Sequence, residues 1–305
     1  MIKITSSFDR MGNQKGFNCC LGVAAALMSP FAFATDGTFT FGVGPDEYTS
    51  YAFDASANAF NTPVSILFNY EASYVSGDNI GRRFGFGLEW TPADWFSATY
   101  QRGSTDAAPL ELSSNAIGVS VNVGTLWSNR LQTRLDLDYE NSEYDSIRRR
   151  VGLRVVRIEV PEQFRVGIGL TQDILDNLSI YGSHDFYDYE DDPKALATFL
   201  ARRRLRPINV IYALTSFADE GSTIGITWSP IEQLSADLSY GMNDTVIDQH
   251  SQDVTLNLTY DITDRITLGG GISYSKSDPV LGPRGATLVD GSEGTYFSLS
   301  LGAYY

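Results

Sequence analysis

The chain has 305 residues, with 22 Lys and Arg against 37 Asp and Glu, for a formal net charge of −15 at neutral pH. So acidic a protein repels nucleic acid, and it carries no basic reader motif. Beyond residue 34 no stretch approaches the length of apolar sequence that a membrane-spanning helix needs.

Residues 1–34 are predicted to be a secretory signal peptide. Lys3, Arg10 and Lys15 form a basic leader, residues 19–28 a short apolar run, and Ala32-Phe33-Ala34 a small-x-small cleavage site before Thr35. Cys19 and Cys20 both fall in this leader, so the mature chain has no cysteine. A lipoprotein needs its apolar run before the acylated cysteine, and here the run follows. Residues 35–62 are weakly patterned and are expected to form an N-terminal tail, a plug or an extra strand.

From residue 63 to 305 one unit repeats: about ten alternating residues, a turn, then ten more. Val64, Ile66, Phe68, Tyr70, Ala72 and Tyr74 alternate with Ser65, Asn69, Glu71 and Ser73. Leu131, Thr133, Leu135, Leu137 and Tyr139 alternate with Gln132, Arg134, Asp136, Asp138 and Glu140. Strict period two predicts strands with one apolar and one polar face. A soluble sandwich turns the apolar face inward and a membrane barrel turns it outward. Strands of this length match a tilted membrane crossing, and the aromatics gather at strand ends. The expected fold is therefore all-β, an antiparallel transmembrane β-barrel.

The segments fall near 63–75, 80–91, 95–103, 113–124, 129–140, 147–158, 163–174, 177–188, 207–217, 222–229, 233–243, 252–262, 265–276 and 294–305, which predicts 14 strands. Trp90–Phe96, Trp228–Leu234 and Tyr260–Ile266 share one shape, an aromatic strand end, a tight polar turn and a new apolar strand. They are expected as short periplasmic turns, with longer polar loops outside at residues 103–113, 243–252 and 277–294. Residues 173–177 have the same look, yet the 14-strand count places them outside. Were they periplasmic, 147–158 and 207–217 would join outer loops and leave 12 strands.

The last strand puts Phe297, Leu299, Leu301, Ala303 and Tyr305 on one parity and ends on an aromatic. It is similar to the C-terminal assembly signal of bacterial outer-membrane proteins, a porin-like class that the whole mature chain resembles in architecture. Its members more often end on Phe or Trp. The resemblance implies a Gram-negative outer membrane, export past periplasmic chaperones, recognition by the barrel-assembly machinery and contact with lipopolysaccharide. No cofactor or metal is implied.

Candidate chemistry lies mainly in the lumen. Arg148, Arg150 and Arg154 share the parity opposite Val151, Leu153 and Val155, and Arg165 follows on the next strand. Asp136, Asp138 and Glu140 aim the same way. An arginine facing lipid near the midplane costs about 2–4 kcal/mol, so a lumen position is expected. Such a wall either selects charged solutes or forms a salt-bridged plug.

Residues 192–206 read as a helix: Asp192 can cap it, Pro193 suits its first position, and Arg202, Arg203, Arg204 and Arg206 lie at its carboxyl end. It is expected either as a constriction in the barrel mouth or as a surface helix against lipopolysaccharide phosphates. Residues 185–192 form an acidic-aromatic cluster without the spacing of a calcium loop.

The rival class is an outer-membrane hydrolase. Asp248-Gln249-His250 looks like the Asp-His pair of omptin proteases, but no second acidic pair accompanies it. Ser251 beside His250, and Ser183 beside His184, point to opposite faces, so neither can bond within its own strand. A phospholipase or lipid A hydrolase would have to assemble across strands. The expected function is a passive or weakly selective channel for small polar or charged solutes. The alternatives are an occluded scaffold for a partner protein and a hydrolase of protease or lipase type.

Overall fold

The structure is a computed structural model that describes residues 35–59, 62–107, 110–126, 132–145, 147–151, 154–158, 160–194, 217–281 and 287–304. Period-two alternation resolves into fourteen antiparallel strands closed into a barrel. The wall begins with β1 (Thr35–Val43), β2 (Thr49–Asn58), β3 (Val64–Val75), β4 (Asp78–Ala93), β5 (Phe96–Ala107) and β6 (Leu110–Asn122). After one helical turn at Val123–Leu126 comes β7 (Thr133–Tyr144). A hairpin of β8 (Ile147–Val151) and β9 (Arg154–Ile158) then stands apart from the wall. The wall resumes with β10 (Gln163–Leu175), β11 (Leu178–Tyr189), β12 (Ala218–Ile231), β13 (Leu234–Thr245), β14 (His250–Thr263) and β15 (Ile266–Ser277). A second small hairpin, β16 (Val280–Leu281) with β17 (Thr287–Val289), precedes the last wall strand, β18 (Ser292–Ala303). β18 pairs with β1, placing Phe297 opposite Val43 and Ala303 opposite Gly37, and this closes the sheet.

Register decides which face is which. Across β7 and β10, Tyr139 lies opposite Val166, Leu137 opposite Ile168 and Leu135 opposite Leu170. These side chains stay exposed, as do Ile224, Leu299 and Leu301 on distant strands. An apolar belt running round a whole molecule has no place in water but matches lipid. Phe297, Leu299 and Leu301 of the expected assembly signal belong to it; Tyr305 lies outside the described residues. The other parity is polar and lines the lumen: Glu140 opposite Arg165, Asp138 opposite Gly167, Asp136 opposite Gly169. Closure pairs every wall strand on both sides, so no backbone edge meets hydrocarbon.

At one end, which we call the turn end, two-residue connections join β4 to β5, β10 to β11, β12 to β13 and β14 to β15. Trp90, Trp95, Trp228 and Tyr260 stay exposed there, an interfacial girdle. The opposite loop end carries both small hairpins and the long β11–β12 connection.

Fourteen strands are present, but not the fourteen segments expected from the sequence. Residues 147–158 are two strands of five that pair with each other, Arg148 opposite Arg157 and Arg150 opposite Val155. Five residues are too few to cross a membrane. β11 pairs directly with β12, Leu178 opposite Trp228; of the segment expected at 207–217 only Phe217 is described, and it belongs to no strand, while 207–216 lie outside the described residues. The two missing strands are β1 and β2, which corrects the tail-or-plug expectation for residues 35–62. Phe39, Phe41, Tyr51 and Phe53 on the outer face do alternate with Thr38, Thr40, Ser50 and Asp54 on the inner one, but the apolar face then fades into small Ala55 and Ala57. With that exchange the 173–177 turn joins the other short turns at the turn end. The loops expected at 103–113 and 243–252 shrink to a few residues because their strands continue past the apolar belt.

Candidate functional site in the barrel lumen

Of the expected lumen residues, Arg165, Glu140, Asp138 and Asp136 gather on one stretch of the inner wall. Arg165 on β10 donates through Nε to Glu140 Oε2 on β7 at 3.2 Å and through Nη1 to Asp185 Oδ1 on β11 at 3.0 Å. Gly167 makes room for this: a Cβ there would stand 2.6 Å from Asp185 Oδ1. Asp138 sits opposite Gly167 and Asp136 opposite Gly169, with Arg134 bonded to Asp136 at 3.2 Å. The arrangement encloses a polar recess of about 280 Å³ bounded by Arg134, Asp136, Asp138, Arg165 and Asp185. In linear sequence Asp185 belongs only to the acidic-aromatic cluster at 185–192. The cross-strand register, invisible in one strand alone, makes it a partner of Arg165.

Towards the loop end the same wall becomes aromatic. Tyr144 donates to Gln163 Oε1 at 2.9 Å, and Gln163 Nε2 donates to Tyr189 Oη at 2.8 Å. Phe217, fully buried, packs its ring against Tyr144 and Tyr189 at centroid distances of 5.4 and 5.5 Å. Tyr144 and Tyr189 share the lumen parity of Ser142 and Gln163, so Phe217 folds inward over the wall. This cluster lies on the inner wall directly beyond Arg165 and Glu140.

The arginine ladder is not part of this wall. Arg148, Arg150 and Arg154 are on the separate β8–β9 hairpin. Arg202, Arg203, Arg204 and Arg206 lie outside the described residues; at the start of that segment, Asp192 Oδ1 accepts from the Lys194 amide at 2.8 Å, as a capping residue does. Among the described residues the basic side chains on the lumen parity are Arg83, Arg134 and Arg165. Against them stand Asp54, Glu71 and Glu89 on one side and Asp136, Asp138, Glu140, Asp185, Asp237 and Asp253 on the other. The described inner wall is thus acidic, and one of its three arginines is clamped between two carboxylates.

Neither histidine faces the lumen. His250 at the loop end bonds Asp244 across the β13–β14 hairpin, Nδ1 to Oδ1 at 2.5 Å. Asp248, the carboxylate that a hydrolase would have paired with it, instead occupies the turn with a φ of 61°. His184 faces outward and bonds Ser222 on the neighbouring strand, Nδ1 to Oγ at 2.7 Å. Parity excludes Ser183 as a partner of His184, and the partner comes instead from across the strands.

The chain matches no protein-family model and no curated protein. Among solved structures it is similar to the NanC porin, at 8% identity over 88% of this chain and 99% of that one, with a TM-score of 0.45. It is similar to OprB of Pseudomonas putida at 8% identity, 96% and 97% coverage and a TM-score of 0.46. The outer membrane channel DcaP of Acinetobacter baumannii aligns at 8% identity, 90% and 95% coverage and a TM-score of 0.42.

Proposed function

We propose that the chain forms a passive channel for small polar solutes in the outer membrane of a Gram-negative bacterium, and that the channel prefers cations to anions. The observation that supports this reading is the acidic lumen face, in which Arg165 is already neutralised by Glu140 and Asp185. In a lumen of reduced dielectric, fixed carboxylates raise the local concentration of cations and repel anions. In this reading the leader at 1–34 exports the chain, and the apolar face of the last strand is what the assembly machinery and its chaperones meet. Lipopolysaccharide would surround the loop end.

Planar-bilayer recording of the refolded protein tests the reading. Discrete conductance steps with cation preference are expected. No conductance would instead favour the occluded scaffold, for which the packing of Phe217 over Tyr144 and Tyr189 is the supporting observation.

A further inference from the structure

The outward face of β11 and β12 near the loop end carries a serine, a histidine and a carboxylate that the channel reading does not use. Antiparallel register sets His184 opposite Ser222 and Phe186 opposite Glu220. Ser222 and Glu220 are two residues apart on one strand, so they share a face. His184 Nδ1 lies 2.7 Å from Ser222 Oγ, and its Nε2 lies 3.9 Å from Glu220 Oε2. The ring is braced by Phe186, edge to face at a centroid distance of 4.2 Å. The serine hydroxyl thus has a base within hydrogen-bond reach, and the far nitrogen of that base faces a carboxylate. That is the geometry that activates a serine nucleophile, and it is often looser before substrate binds.

The surroundings indicate what would be cleaved. A depression of about 250 Å³ beside Ser222 is lined by Glu220, Met242, Asp244, His250 and Gln252. Immediately towards the belt on β12 stands Ile224, 63% exposed, and Met242 lies opposite Ser222 on β13. Ser222 therefore stands at the border between the apolar belt and the polar rim. In a bilayer that border is where the acyl esters of membrane lipids lie, with chains against the belt and headgroups at the rim.

We infer that Ser222, His184 and Glu220 form a serine esterase site on the outside of the barrel, acting on acyl esters of the surrounding lipid. Ser222 Oγ attacks the ester carbonyl carbon while its proton passes to His184 Nδ1, and Glu220 stabilises the imidazolium. Collapse of the tetrahedral intermediate breaks the carbon–oxygen bond to the lipid alcohol, which leaves with the proton from His184. Water then attacks the acyl-serine, giving its proton to His184. The second collapse returns that proton to Ser222 Oγ and releases the fatty acid. No redox partner or metal enters the balance.

The test uses the whole mature chain, refolded in vesicles of phosphatidylglycerol or of lipid A, with released fatty acid measured by mass spectrometry and Ser222 labelling by a fluorophosphonate. Release from either vesicle is expected, and the arm that responds tells phospholipid from lipid A. Ser222→Ala and His184→Ala should lower release at least about 100-fold, and Glu220→Gln less, given its longer contact. Ser183→Ala, next to His184 but on the inner face, should leave release unchanged. Heat-modifiable migration on gels confirms that each variant is folded. Folded wild type that releases no fatty acid from either vesicle and takes no label at Ser222 would overturn the proposal. So would folded Ser222→Ala with undiminished release.

Discussion

Arg165 shows how one residue sets the character of the lumen. Its two carboxylate partners come from strands on either side, and the side chains of all three keep between 20% and 28% of their surface exposed. Water therefore screens the pair partly, and the stabilisation lies between that of a surface and a buried bridge. Arg165→Ala should lower the stability of the refolded barrel in urea by about 1 kcal/mol. It should also raise the preference for cations in bilayer recordings, because Glu140 and Asp185 become free fixed charges. Arg165→Lys should keep most of the selectivity but lose the fork that reaches both neighbours. Unchanged ion preference in Arg165→Ala would show that this network does not face the conducting path. The sequence revealed Arg165, Asp136, Asp138 and Glu140 because lipid forbids their charge on the outer face. It hid Asp185, whose role depends on a register between two strands.

At the scale of elements, lumen glycines and large side chains are fitted to each other. The Tyr181 ring on β11 lies over Gly225 on β12, where a Cβ would collide with it, and its hydroxyl donates to Asp237 Oδ1 at 3.1 Å. Gly225→Val should therefore displace the ring and cost about 1–3 kcal/mol, read from urea unfolding, by forcing a rotamer change in a filled site. Tyr181→Phe should cost less because the ring packing survives. A second prediction concerns β8 and β9. β7 pairs directly with β10 over ten residue pairs, so the hairpin contributes nothing to closure. Removing residues 146–159 should leave a barrel with unchanged heat-modifiable migration; failure to fold would contradict the topology. The hairpin misled the sequence reading because its alternation runs on through 147–158 as if it were one long strand. Only the break at Gly152 hinted at two short ones. β1 and β2 were missed for a different reason: their contrast rests mainly on Phe39, Phe41, Tyr51 and Phe53 and fades to Ala55 and Ala57 before β3.

For the whole molecule, the apolar outer belt and polar inner face were readable because a lipid solvent imposes period two on every crossing. The strand count was readable too, although the segment counted at 147–158 stands outside the wall and two uncounted strands, β1 and β2, belong to it. The sign of the lumen was not. Arg148, Arg150 and Arg154 looked like pore arginines in linear order, and only the topology moves them to a loop hairpin. Without them the described inner wall is dominated by carboxylates from β2 to β14, in keeping with the net charge of −15. The outward Ser222–His184 pair was equally hidden, because its two members are brought together by pairing between strands.

The most direct measurement is the reversal potential of the refolded protein, lacking residues 1–34, in a planar bilayer across a KCl gradient of about tenfold. The acidic lumen predicts discrete conductance with the potential displaced towards that of potassium, and a displacement that shrinks when Asp136 and Asp138 are both changed to Asn. A potential displaced towards that of chloride, or a folded barrel that never conducts, would contradict it.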